Sequence, residues 1–136
     1  MNGSQKNKAG FTIIELMIAL LVLTLMIGSY VGANVKAQQN TEEMNERTVA
    51  LQDANRVIER MRDTSNAESL SFPSGTVAVY PNDGTIEGFN NLTDEVVTVS
   101  YADESANPLD VTVTVTWTSY TGREHTETVK THITQR

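Results

Sequence analysis

The sequence predicts an α+β protein. A long N-terminal helix, membrane-embedded in its first half, packs its second half against a small antiparallel β-sheet. Three observations lead there. Residues 16–33 are eighteen in a row without a charge. Residues 36–62 continue with neither Gly nor Pro and carry apolar side chains at helical spacing. Beyond Asn66 the apolar period shortens to two, in runs separated by turn-forming residues.

The first element is long enough to cross a bilayer. Eighteen helical residues span about 27 Å at roughly 1.5 Å per residue. Glu15 stands at the entrance, where a carboxylate facing lipid is costly and marks a functional position. Lys6 and Lys8 precede it and, by the positive-inside rule, orient the segment with the leader in the cytoplasm. An ordinary secretory signal has an apolar core of about 7–15 residues followed by small residues. Here the run is longer, and the small cluster Gly28, Ser29, Gly32 and Ala33 comes late. A plain membrane anchor suits the charge pattern but gives no reason for Glu15.

The second half of the helix is one-sided. Met44, Leu51, Ala54, Ile58 and Met61 recur at spacings of seven, three and four, as expected for a face packed on a core. Asp53 and Arg56, and again Glu59 and Arg62, are opposite charges three apart, each pair worth a few tenths of a kcal/mol. The turn formers at 63–66 end the helix. From Phe11 to Arg62 it would run 52 residues, about 78 Å at 1.5 Å per residue. The stripe is read as core packing under a docked domain, with a coiled-coil partner as the alternative.

The sheet is read from alternation. Segments 76–80, 95–102, 111–117 and 126–134 alternate, and 81–84 (Pro-Asn-Asp-Gly) and 119–122 (Ser-Tyr-Thr-Gly) are turns. The expectation is three main strands, with 76–80 and 85–89 as shorter pieces. Val97, Val99 and Tyr101 share a face, as do Val129, Thr131 and Ile133, and the threonine-rich face meets solvent or neighbouring subunits. The four expected regions are a leader at 1–10, a transmembrane helix at 11–35, its amphipathic continuation at 36–66 and a sheet domain at 67–136.

Composition narrows the chemistry. The net charge of −7 argues against nucleic-acid adhesion through a basic surface. With no cysteine there are no disulfides and no thiolate metal sites. His125 and His132, seven apart on a strand, face opposite sides, cannot share a metal and read as exposed strand residues. The acidic loop with Asp103, Glu104, Asn107 and Asp110 lacks a calcium-loop pattern and reads as a solvated turn. Asn91-Leu92-Thr93 matches a glycosylation triplet by chance. No catalytic constellation, cofactor site or metal site stands out, so catalysis is not expected.

The N-terminal motif is more specific. Gly10-Phe11-Thr12-Ile13-Ile14-Glu15 resembles the processing site of the type IV pilin family, which includes the pseudopilins of type II secretion. The resemblance implies cleavage between Gly10 and Phe11 by a prepilin peptidase, which also methylates the new N-terminus at Phe11. It implies that Glu15 neutralises the terminal ammonium of a neighbouring subunit and so sets register, a pairing favoured in a low-dielectric bundle. Many pilins carry a proline further along this helix, where this chain has Gly28 and Gly32. That pair either permits close helix approach, allows local stretching at about 1 kcal/mol per glycine, or is simply tolerated.

The helix-then-sheet order agrees with the pilin fold. The closing pattern from Val113 to Ile133 and the helical stretch 54–61 resemble minor pilins and minor pseudopilins. The resemblance implies a structural subunit of a pilus or pseudopilus. Its partners would be other pilin subunits, the peptidase, the inner-membrane assembly machinery and, before assembly, membrane lipid. It would cross the inner membrane once, with its C-terminal domain in the periplasm. A pilus-associated adhesin or DNA-uptake subunit is the alternative, followed by an unprocessed membrane-anchored protein.

Overall fold

A computed structural model describes residues 11–67 and 71–135. Lys6, Lys8 and Gly10 lie outside the described residues. Helix α1, Ile13–Ser65, has 53 residues and runs unbroken through Gly28 and Gly32. The chain divides into two compact units, the boundary falling between Thr41 and Glu42.

In the first unit every described side chain is exposed. The most apolar eighteen-residue window of α1 has a mean hydropathy of 2.2 and none of it is buried. Two of its hydroxyls bond back to the helix. The Thr24 hydroxyl donates to the Leu21 carbonyl at 2.8 Å and the Ser29 hydroxyl to the Leu25 carbonyl at 2.9 Å. Such back-bonding is what an environment without water requires of a hydroxyl.

The second unit joins the outer half of α1 to helix α2 (Ser74–Val79) and strands β1 (Gly84–Thr85), β2 (Val96–Tyr101), β3 (Leu109–Thr118) and β4 (Glu124–Ile133). The strands form one antiparallel meander in the order β1-β2-β3-β4. Central β3 alternates strictly: Leu109, Val111, Val113, Val115 and Trp117 are buried, while Thr112, Thr114, Thr116 and Thr118 turn outward. Val97, Val99 and Tyr101 of β2 lie on the same inner face. Ala50, Ala54, Val57, Ile58 and Met61 of α1 complete a single apolar cluster with them. The fold is therefore α+β, with the outer half of the helix packed on the sheet.

Both expected turns form. Gly84 N–H bonds the Pro81 carbonyl at 2.9 Å. A Cβ at Gly84 would meet that oxygen at 2.7 Å, so only glycine fits. Gly122, at φ +77°, closes the β3–β4 hairpin, its N–H bonded to the Ser119 carbonyl at 2.8 Å.

Three expectations are corrected. Segment 76–80 is not a strand; it lies mostly in α2, where Val77 N–H bonds the Pro73 carbonyl and Tyr80 N–H the Thr76 carbonyl. The place beside β2 is taken by β1, and Pro81 has no N–H with which to extend a ladder. The 85–89 piece shrinks to β1 and one further bond, Ile86 N–H to the Val97 carbonyl, before Gly88 at φ +94° turns the chain away.

The helix stripe is also rotated. Met44 is 69% exposed and Leu51 37%, whereas Ala50, Asp53 and Val57 are fully buried. At about 100° per residue, the buried arc runs from Asp53 round to Ile58 and centres near Met61, and Leu51 and Met44 sit about 80° and 100° from that centre on one side. The sheet and the segment before β2 cover the other side, where Asp53 lies.

The rotation has a measurable consequence. Met61→Ala is expected to cost about 2–5 kcal/mol in denaturant unfolding of the detergent-solubilised chain, as for a fully buried methionine. Met44→Ala is expected to change stability by less than about 0.5 kcal/mol, as for a surface site.

Candidate functional site

The segment that carries the sequence motif begins at a helix cap. Thr12 accepts twice, its hydroxyl from Glu15 N–H at 3.3 Å and its carbonyl from Leu16 N–H at 3.2 Å. Thr12 and Glu15 thus stand three apart in the manner of a capping box. Glu15 lies in the first turn, where a carboxylate is favoured by the helix dipole. Its side chain is exposed and has no ion-pair partner among the described residues. Phe11 is 81% exposed and Ile13 82%. The capping role of Thr12 is legible in its three-residue spacing from Glu15.

This surface can act chemically in one way, by being covered. From Ile13 to Val35 the helix presents large apolar side chains all round its circumference, far more than a soluble surface carries. Beyond Gly28 and Gly32 lies open space, with nothing within 4 Å of a Cβ built at either. The first half of α1 is long and apolar enough to cross a membrane.

The second unit holds polar groups around its apolar cluster. Glu46, one turn before Ala50, accepts from the Trp117 indole N–H at 3.2 Å and from Tyr120 N–H at 3.1 Å. Burial alone would push the Glu46 carboxyl up. The bonds from Tyr120 and Trp117, helped by the Ser119 hydroxyl and the field of His125, outweigh it and hold the group below the ordinary glutamate value. Trp117 in turn stacks on His125, ring centres 5.6 Å apart. His125 is therefore half-buried, not exposed as expected, because its position faces inward on β4. His132 does face outward, and is paired there with Asp110.

The inward face of β4 is held by ionic and polar contacts. Arg47 pairs with Glu127, and Arg62 reaches Thr131 at 3.4 Å as well as Glu59 at 2.6 Å. On the opposite flank Asp53, wholly buried, accepts from Arg56 at 2.7 Å and from the Asn91 amide at 2.8 Å. Sequence reasoning paired Asp53 with Arg56 but missed its burial. The available signal was its place beside Ala50, Ala54 and Val57 on the helical wheel.

In the acidic loop Asp103 turns inward on itself, its Oδ1 accepting from Ser105 N–H and hydroxyl at 2.9 and 2.7 Å. Among the described residues no group of three or more His, Cys, Asp or Glu converges to hold a metal ion.

A helix whose apolar first half is exposed, opened by a threonine cap and an acid and followed by an α+β domain, has the layout of a membrane-anchored protein. Residues 5–30 match the family model of the prokaryotic N-terminal methylation motif. That match supports the type IV pilin and pseudopilin family, to whose layout the long helix and antiparallel sheet conform. No curated protein and no solved structure matches the chain.

Glu46 gives the head a dependence on acid. Because its folded value is depressed, its contribution is present above the ordinary glutamate value of about 4.3 and is lost as pH falls through the lower folded value. Trp117, the only tryptophan, reports the change. Unfolding of Glu46→Gln followed by its fluorescence should show a shallower loss of stability in that acid range than the wild type.

Proposed function

We propose that this chain is a structural subunit, a minor pilin or minor pseudopilin, of a type IV pilus or type II secretion pseudopilus. A prepilin peptidase cuts between Gly10 and Phe11 and Phe11 is methylated. Lys6 and Lys8 hold the leader on the cytoplasmic side, so the helix crosses the inner membrane once and the sheet domain stands in the periplasm. Helix 11–35 then leaves lipid for the core of a filament, where Glu15 meets the terminal ammonium of a neighbour. The sheet domain supplies lateral or tip contacts. Its small size, without a disulfide, supports a minor over a bulk role.

The observation that carries this reading is the uncovered helix that starts at the motif. An apolar rod that buries nothing of itself needs lipid first and like helices afterwards, and the single acid at its head is costly until a cation meets it. No catalytic step is needed for that role. The pilin-type motif itself points to a structural subunit.

The N-terminus decides the matter. Membrane-extracted protein should begin at methylated Phe11, and an intact Met1 by mass and end-group determination would sink the proposal. Glu15→Ala should be processed normally, yet its incorporation into sheared filaments should fall about tenfold or more, since an ammonium is left unpaired in the bundle. Wild-type incorporation of that variant would remove the register role.

A further inference from the structure

We propose that Glu95, set against Asp53 of α1, is a proton-operated latch that fastens the segment before β2 to the helix. When the latch holds a proton the segment is clamped, and when it loses the proton the segment is released.

The geometry comes from counting donors. Asp53 is fully buried and both its oxygens are already used, Oδ1 by Arg56 at 2.7 Å and Oδ2 by the Asn91 amide at 2.8 Å. Glu95 Oε2 accepts two backbone N–H groups, from Asn91 at 2.8 Å and Leu92 at 3.2 Å. Glu95 Oε1 is buried and has no donor. An ionised oxygen so placed is penalised twice, by lost hydration and by the neighbouring Asp53 charge. One proton on Oε1 removes both penalties, because the new O–H can donate towards Asp53.

The proton belongs on Glu95, since Asp53 already accepts from a guanidinium and an amide. Consistently, burial and then the Asp53 charge push the Glu95 carboxyl above the ordinary value, against the two backbone bonds that pull it down. The other charged groups do not cancel this. Arg56 is spent on Asp53, and Asp94 is exposed to solvent. From β2 the adjoining residues Val96 and Val97 are apolar, and β3 approaches through a backbone bond, Thr118 N–H to the Thr93 carbonyl at 2.9 Å.

The latch therefore has a direction. A raised folded value means that its stabilisation is complete below the ordinary glutamate value and lost as pH rises through the folded one. Release would loosen the stretch that carries Phe89 and Leu92, both packed against the core, with Arg60 lying 5.0 Å from the Phe89 ring centre. A domain clamped in acid would then present a new apolar flank once the pH exceeds the raised Glu95 value. The latch requires nothing of the N-terminal segment and stands whether or not the chain enters a filament.

The test uses the full chain in detergent, following the Glu95 carboxyl carbon by NMR between about pH 4 and 8 and the exchange protection of the Asn91 and Leu92 amides. Glu95 should titrate above its ordinary value of about 4.3, and amide protection should fall by up to about tenfold per pH unit between that value and the titration point, then level off. Glu95→Gln should keep both amides protected throughout, because its carbonyl still accepts and its amide donates to Asp53. Asp53→Asn should move the Glu95 titration downward. If that variant fails to fold, Glu95→Gln still decides. Titration at the ordinary value, or a Glu95→Gln protein whose protection depends on pH as the wild type does, would overturn the latch.

Discussion

The burial of one arc of α1 against the inner faces of β2 and β3 is the interaction on which the head depends. Ala50 and Ala54 let the helix backbone lie close to the sheet, and Val57, Ile58 and Met61 fill the space beyond them. Every strand takes its register from that contact. A slip of one residue in β3 would send Val111, Val113, Val115 and Trp117 outward and bring threonines in. A domain this small, without a disulfide, has no second core to fall back on.

Around that apolar arc the helix spends its polar residues on the sheet and its loops. Glu46 holds Trp117 and the hairpin turn, Arg47 holds Glu127, Arg62 holds Thr131, and Asp53 holds Asn91. Exposed pairs of this kind contribute little each, while the buried Asp53 cannot lose its partners without large cost. Placing a charge on the inner face of β4 also suits an edge strand, since Glu127 makes that strand a poor template for stray pairing.

The first half of α1 obeys a different rule. Among the described residues it has no partner, and its apolar side chains are exposed from end to end. One helix thus has two kinds of surface, apolar and exposed in its first half and packed under a sheet in its outer half. Continuity through Gly28 and Gly32 means that no break in the backbone marks the change. The composition of the side chains marks it instead.

Short-range patterns determined much of this protein. Unbroken apolarity required an apolar environment for the first helix, period-two valines required strands, and Pro-Asn-Asp-Gly and Ser-Tyr-Thr-Gly required turns, because each is a property of residues adjacent in the chain. The motif around Glu15 was legible for the same reason. What only the tertiary structure decided was which side of the helix the sheet covers. Met44 and Leu51 are as apolar as Val57, and nothing local says that they lie outside the buried arc while Asp53 lies within it. Alternation likewise suggested a strand at 76–80, but β1 had taken the place beside β2 and the segment coiled into α2. The meeting of Asp53 with Asn91 and Glu95, some forty residues further along the chain, was invisible for the same physical reason. Burial and donor supply depend on neighbours in space, and those exist only once the helix has met the sheet.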